Sequence, residues 1–293
     1  MRIWLNAARP RTLPAAVAPV LVGTAAAYAA VNAMPRWGAF FAALVASVLI
    51  QIGTNLANDY SDARRGADSV DRLGPVRVTS AGLVTPRRVL IATWIAFGIA
   101  ALLGIYLAFV AGWIILVVGA VSIAAGVLYT GGPRPYGYAG LGEVFVFLFF
   151  GLVSVNGSYY VQLEEITWVS IGLSVAVGFL STAILVVNNT RDMDTDRRAK
   201  KNTLAVRIGR QRSRALYLTL MLGAFVLLAL TVALNGGPWP ALLGLLALPL
   251  TIKPIRAMRT RTDGPSLNAA LADTGAALGI FSLLTAIGLV IGA

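Results

Sequence analysis

The chain contains no cysteine and no histidine. The first absence rules out a disulfide framework and thiol chemistry, and the second removes the usual general base near neutral pH and the commonest nitrogen ligand for metals. Any metal here must be held by oxygen. Charge is scarce as well: charged residues make up 12% of the chain, and 12 acids face 24 lysines and arginines. With 58% hydrophobic residues and a mean hydropathy of +0.78, the composition excludes an ordinary soluble domain and reads as an all-α, polytopic membrane protein. The net charge of +12 raises nucleic acid as a partner. On so apolar a chain, basic loops lying against anionic lipid account for it more simply, so the expected surroundings are the lipid bilayer, with no nucleic acid.

What the chain does have is long runs without charge. A membrane helix needs roughly 20 apolar residues, and such runs cover residues 12–34, 37–58 and 168–190, with a fourth over 140–161 broken only by Glu143. Two further runs, 89–133 and 215–252, are too long for one crossing and must fold back, the first near Ala111-Gly112 and the second at Asn235-Gly-Gly-Pro238. A last span runs from about residue 266. The first run also resembles a signal peptide ending near Ala30-Val-Asn-Ala33, but Pro14 and Pro19 interrupt it and it is long enough to span, so a retained helix is expected. The count is about nine transmembrane helices in a single domain, 1–293. They read as two four-helix units, about 1–134 and 135–265, plus a closing helix, 266–293.

Charge supports that count. With the N-terminus inside, every lysine and arginine except Arg36 falls on the inner side, as the positive-inside rule requires. The expected location is therefore the cell's inner (cytoplasmic) membrane, crossed many times, with the C-terminus outside.

Seven of the 12 acids crowd into two windows at the inner ends of spans two and six. The first window contains Asn58, Asp59, Asp62, Gly66, Asp68 and Asp71, and the second reads Asn188-Asn189-Thr-Arg191-Asp192-Met-Asp194-Thr-Asp196. Asn58 and Asp62 share one helical face, as do Asn188, Asp192 and Asp196. Taken singly, either window could be helix capping; paired windows with the same Asn-x-x-x-Asp spacing point to function. Two oxygen-rich faces without histidine or cysteine suit Mg²⁺ or Mn²⁺, which bind a few carboxylates and bridge to substrate phosphate. Arg64, Arg65, Arg72, Arg77, Lys200, Lys201 and Arg207 stand beside the acids, as a diphosphate would want, and a site at the lipid boundary implies a substrate with a long apolar tail. Glu143 reads equally as packing or function, and Asp273 reads as structural. Phe145, Phe147, Phe149 and Phe150 are expected to face lipid or core rather than substrate.

These residues resemble a known family. Asn58-Asp59-x-x-Asp62 with Arg77 and Gly82 downstream, and Asp192-x-x-x-Asp196 with Lys201-x-Thr203-Leu204, resemble the two Asp-rich motifs of the UbiA superfamily of intramembrane prenyltransferases. Ala8-Arg9-Pro10-Arg11-Thr12-Leu13-Pro14, Gly74-Pro75-x-Arg77, Tyr129-Thr-Gly-Gly-Pro133-x-Pro135-Tyr136 and Thr203-Leu-Ala-Val-Arg-x-Gly209 are similar to its menaquinone-pathway branch, the 1,4-dihydroxy-2-naphthoate polyprenyltransferases. One departure stands out: the superfamily's third acid of the first motif would fall at Gly66, and here Asp68 follows two residues later.

The resemblance implies Mg²⁺, or Mn²⁺, held by Asn58, Asp62, Asn188, Asp192 and Asp196 with Asp59 and Asp68, the aspartates 62, 192 and 196 being catalytic. It implies a polyprenyl diphosphate contacted by Arg77, Lys201, Tyr129 and Arg134, and 1,4-dihydroxy-2-naphthoate as acceptor; from their position at the inner mouth of span one, Arg9 or Arg11 is expected to meet the naphthoate carboxylate. Prenyl transfer with decarboxylation would give demethylmenaquinol and needs no strong protein base. The rival readings are a related transferase acting on 4-hydroxybenzoate, haem or a chlorin, and a cation-coupled transporter. The transporter would want its acids near mid-membrane rather than at helix ends.

Overall fold

The computed structural model describes residues 2–66, 73–74 and 76–293. Among these there is no strand. A short helix, α1 (Arg2–Ala8), precedes nine apolar helices: α2 (Pro14–Val31), α3 (Trp37–Arg64), α4 (Pro86–Ala111), α5 (Ile114–Leu128), α6 (Gly142–Leu163), α7 (Trp168–Arg198), α8 (Leu204–Asn235), α9 (Trp239–Thr260) and α10 (Gly264–Ile291). Eight are long enough to cross a bilayer. The exception is α5, whose 15 residues rise about 22 Å at 1.5 Å each. The chain is thus a multi-pass membrane protein, and the nine apolar helices among the described residues are close to the expected count.

Both expected fold-backs occur where glycine allows them. α4 ends at Gly112, whose φ of 90° is left-handed, and α8 ends at Gly236 with φ 71°. Two basic stretches that follow the uncharged runs are largely helical. α7 continues through Arg198 and α8 begins at Leu204, leaving a short turn between them, while residues 252–260 extend α9 beyond its 3₁₀ part, Trp239–Thr251. Arginine is a good helix former, and a helix that leaves the bilayer has no need to stop there. α6 also carries a π-helical stretch, Phe147–Val153.

α7 lies at the centre, packed against α8, α10, α6 and α2. Leu173, Val177, Leu180, Ile184 and Val187 on α7 join Tyr217, Met221 and Leu228 of α8 and Leu278 and Phe281 of α10 in the main core. A capping box of Thr167 and Ser170 starts α7. Close crossings rest on glycine: a Cβ on Gly151 of α6 would lie 2.6 Å from the Cα of Gly178 on α7. At the end opposite the acidic windows, the backbone N–H of Arg36 donates to Gln162 Oε1 at 2.7 Å, and its guanidinium pairs with Glu164 at 3.0 Å.

Candidate active site

α3 and α7 carry the two acidic windows to the same end of the bundle, and a cavity of about 1020 Å³ opens between them. Asn58, Asp62, Asn188, Asn189, Asp192 and Asp196 all line it, with Arg9, Arg77, Tyr129, Tyr138 and Lys201. The cavity continues as an apolar arm between α5 and α6, which make no extended contact with each other. The arm reaches Leu107, Ile115 and Val161, members of a small core cluster. The result is an oxygen-rich, basic head joined to a greasy tail.

Asp62 is the hub of the head. It is 1% exposed, and it accepts from Lys201 Nζ at 3.0 Å, Arg77 Nη2 at 3.1 Å and the Tyr138 hydroxyl at 2.6 Å. Lys201 reaches it because Lys200 adopts a left-handed φ of 56° after α7 and turns the chain back. The Lys201 N–H then bonds the Asp196 carbonyl, and the Asn202 N–H bonds that of Tyr138. Lys201 also sits 4.9 Å above the Tyr138 ring. Burial foremost, and then the Glu143 charge, push the Tyr129 phenol far above its usual range, so it faces the cavity as a hydrogen-bond donor.

The second window is held from behind. Arg191 is fully buried and clamps Asp192 through Nε at 2.8 Å and Nη2 at 2.6 Å, while reaching Asn188 Oδ1 at 2.8 Å and Asn268 Oδ1 at 2.7 Å. Asn268 donates in turn to the Leu73 carbonyl, tying α10 to the loop after the first window. Thr130 donates to Asn58 Oδ1 at 2.8 Å.

Not every expected residue joins the site. Asp59 is buried, but its two oxygens accept from the N–H groups of Val78 and Thr79, and it does not line the cavity; its contacts shape the loop. Arg11 and Arg134 are exposed and lie outside the lining. Asp68 lies outside the described residues. The aromatic expectation is overturned in part: Phe145, Phe149 and Phe150 line the cavity, whereas Phe147 packs on Phe179. The π-helical turn shifts the helical phase between these residues, which a regular helical reading misses. Asp273 pairs with Lys253 at 3.1 Å. Tyr138 and Arg191 went unassigned in the sequence because their partners lie far away in the chain or behind the cavity wall.

Among the described residues no three acids gather closely enough to hold a metal unaided. Scattered carboxylate and amide oxygens beside arginine and lysine cations are nonetheless the donor set that Mg²⁺ uses when substrate phosphate completes its shell. The residues present fit that ion.

Comparison with known proteins agrees with this geometry. The model of the UbiA prenyltransferase family matches residues 16–276. The 1,4-dihydroxy-2-naphthoate octaprenyltransferase of Mycobacterium tuberculosis is 47% identical over 283 residues, 97% of this chain and 95% of its own. The enzyme of the same name from Escherichia coli is 38% identical over 98% of this chain and 94% of its own. Among solved structures, a UbiA homolog from Archaeoglobus fulgidus bound to DMAPP and Mg²⁺ superimposes with a TM-score of 0.71 at 14% identity, covering 99% of both chains. With the family model spanning most of the sequence and near-full-length relatives this similar, the chain belongs to the UbiA prenyltransferase family.

Proposed function

We propose that this protein transfers a polyprenyl group from its diphosphate to 1,4-dihydroxy-2-naphthoate, with loss of carbon dioxide, giving demethylmenaquinol. The observation that carries the reading is the single cavity that joins both acidic windows to an apolar arm. The names of the relatives from Mycobacterium tuberculosis and Escherichia coli support the acceptor, and the Mg²⁺ in the Archaeoglobus fulgidus structures supports the metal.

Asp62, Asp192 and Asp196, with Asn58 and Asn188, would hold Mg²⁺ together with the diphosphate. Bound there, the ion would neutralise the leaving group and help it carry away negative charge. Arg77 and Lys201 already stand in the cavity and are placed to turn from Asp62 to phosphate oxygens. Tyr129 donates a hydrogen bond to the same anion, and the arm between α5 and α6 takes the prenyl tail. Arg9, at the head of the cavity, would meet the naphthoate carboxylate.

In the reaction, the allylic C–O bond breaks and its electron pair leaves with diphosphate. The ring carbon bearing the carboxylate forms the new C–C bond. The C–CO₂ bond then breaks, returning its pair to the ring. No proton needs to be removed from carbon, consistent with a chain that has no histidine. The site would face the cytoplasm from the inner membrane, with the N-terminus on the same side. We propose as well that the helices form two four-helix units, about 1–134 and 135–265, with a closing helix, 266–293.

An acceptor panel tests the assignment. Purified protein with octaprenyl diphosphate and Mg²⁺ should prenylate the carboxyl-labelled naphthoate and release the label as carbon dioxide. Preference for 4-hydroxybenzoate would move the protein to another branch of the family.

A further inference from the structure

Asn188 and Asn189 are neighbours on α7, and both line the cavity, yet opposite partners turn their amides. Arg191 can only donate, and it takes the carbonyl oxygen of Asn188 at 2.8 Å. On the other side, Glu143 Oε1 accepts from Asn189 Nδ2 at 2.9 Å. An amide held by its nitrogen presents its carbonyl oxygen elsewhere. No described residue donates to Asn189 Oδ1, and this oxygen is not among the buried atoms that lack a partner. It is therefore open to the cavity. Asn189 also stands three residues before Asp192 and seven before Asp196, so it shares their stripe on the helix.

Glu143 itself lies outside the cavity lining and is 6% exposed. Asn189 is its one side-chain hydrogen-bond partner among the described residues, and its second oxygen, Oε2, is buried without any. Burying a carboxylate so poorly satisfied costs stability. Its placement makes sense if its task is to aim that amide.

We propose that Asn189 supplies a neutral oxygen ligand to the divalent cation of this site, and that Glu143 is the positioning residue that turns it there. The inference rests on the metal-dependent reading above. It adds a ligand that the spacing of Asn188, Asp192 and Asp196 does not reveal.

Mn²⁺ binding, followed by electron paramagnetic resonance on purified protein with inorganic diphosphate present, tests it without turnover. Asn189→Leu should weaken Mn²⁺ binding about tenfold or more, the range in which metal-site neighbours act, and should weaken it more than Asn188→Leu. Asn189→Asp sets two carboxylates face to face and should also bind poorly. Adding Glu143→Gln to it replaces that clash with an amide donor and should restore binding. A rescue of Mn²⁺ binding between variants with matching melting temperatures is not expected of a purely structural pair, and it keeps the test decisive should Asn189→Leu fold poorly. The inference is overturned if Asn189→Leu binds Mn²⁺ like the native protein while Asp192→Asn does not, or if Glu143→Gln gives no rescue. If Asp192→Asn also binds normally, the metal reading has failed, and this inference with it.

Discussion

Asp62 binds two cations and a phenol in a buried place, and such a carboxylate is costly unless every partner stays in position. Under the proposed function, an entering diphosphate would compete for those same cations, which would let one residue serve the ligand-free head and the loaded one. Arg191 differs, because it is fully buried behind Asp192 and Asn188 and has no room to turn toward a substrate. Arg191→Met strands the Asp192 charge, and the loss should be about 3–5 kcal/mol. Thermal unfolding in detergent measures it, and a native-like transition would refute the clamp. Arg9 is argued on position alone: Arg9→Ala should raise the KM for the naphthoate with little change in that for prenyl diphosphate, and an unchanged naphthoate KM would remove it from the acceptor site. At this scale the sequence revealed the acids, because helical spacing is local. It did not reveal Tyr138, whose bond to Asp62 spans 76 positions, nor Arg191, whose bonds to Asn188 and Asp192 are local but whose burial and anchor on Asn268, 77 positions away, depend on the fold. Nor could spacing show that the backbone of residues 78 and 79 takes up both oxygens of Asp59.

At the scale of elements, the uncharged runs located the helices well, and turn-forming glycines marked where the two overlong runs fold back. Hydropathy alone did not show how far helices run past the uncharged stretches, as α8 does at its start and α9 at its end, since it reports the solvent rather than the backbone. The π-helical part of α6 was equally hidden, and with it the turning of Phe145, Phe149 and Phe150 toward the cavity. That part of α6 also crosses α7 closely. A Cβ at Gly151 would stand 2.6 Å from Gly178 Cα and 2.8 Å from the Ser174 carbonyl. Gly151→Ala should therefore destabilise by about 1–3 kcal/mol through overpacking. Gly98 of α4 has nothing within 4 Å. There the same change should be neutral or stabilising by up to about 1 kcal/mol, the ordinary helix preference for alanine. Paired melting curves compare the two, and equal effects would count against the close crossing.

For the whole molecule, the asymmetry of charge becomes an asymmetry of structure. Arg36 alone stands with Gln162 and Glu164 at one end, while the acids and their basic loops gather at the other. That arrangement predicts which end faces the cytoplasm. Because the chain contains no cysteine, single replacements report on sidedness without background. Met34→Cys, at an exposed position, should react with a membrane-impermeant maleimide in intact cells. Lys200→Cys, exposed at the opposite end, should react only after permeabilisation, and the reverse pattern would invert the topology.

If the proposed function holds, the two acidic windows form one metal-dependent centre. Diphosphate release from octaprenyl diphosphate and the naphthoate, followed in reconstituted protein with Mg²⁺ present or chelated, tests it most directly. Release should stop on chelation and fall by about 10³-fold, roughly 4 kcal/mol, in Asp62→Ala and in Asp192→Ala alike. Near-native release from either variant at saturating Mg²⁺, or release unaffected by chelation, would contradict it.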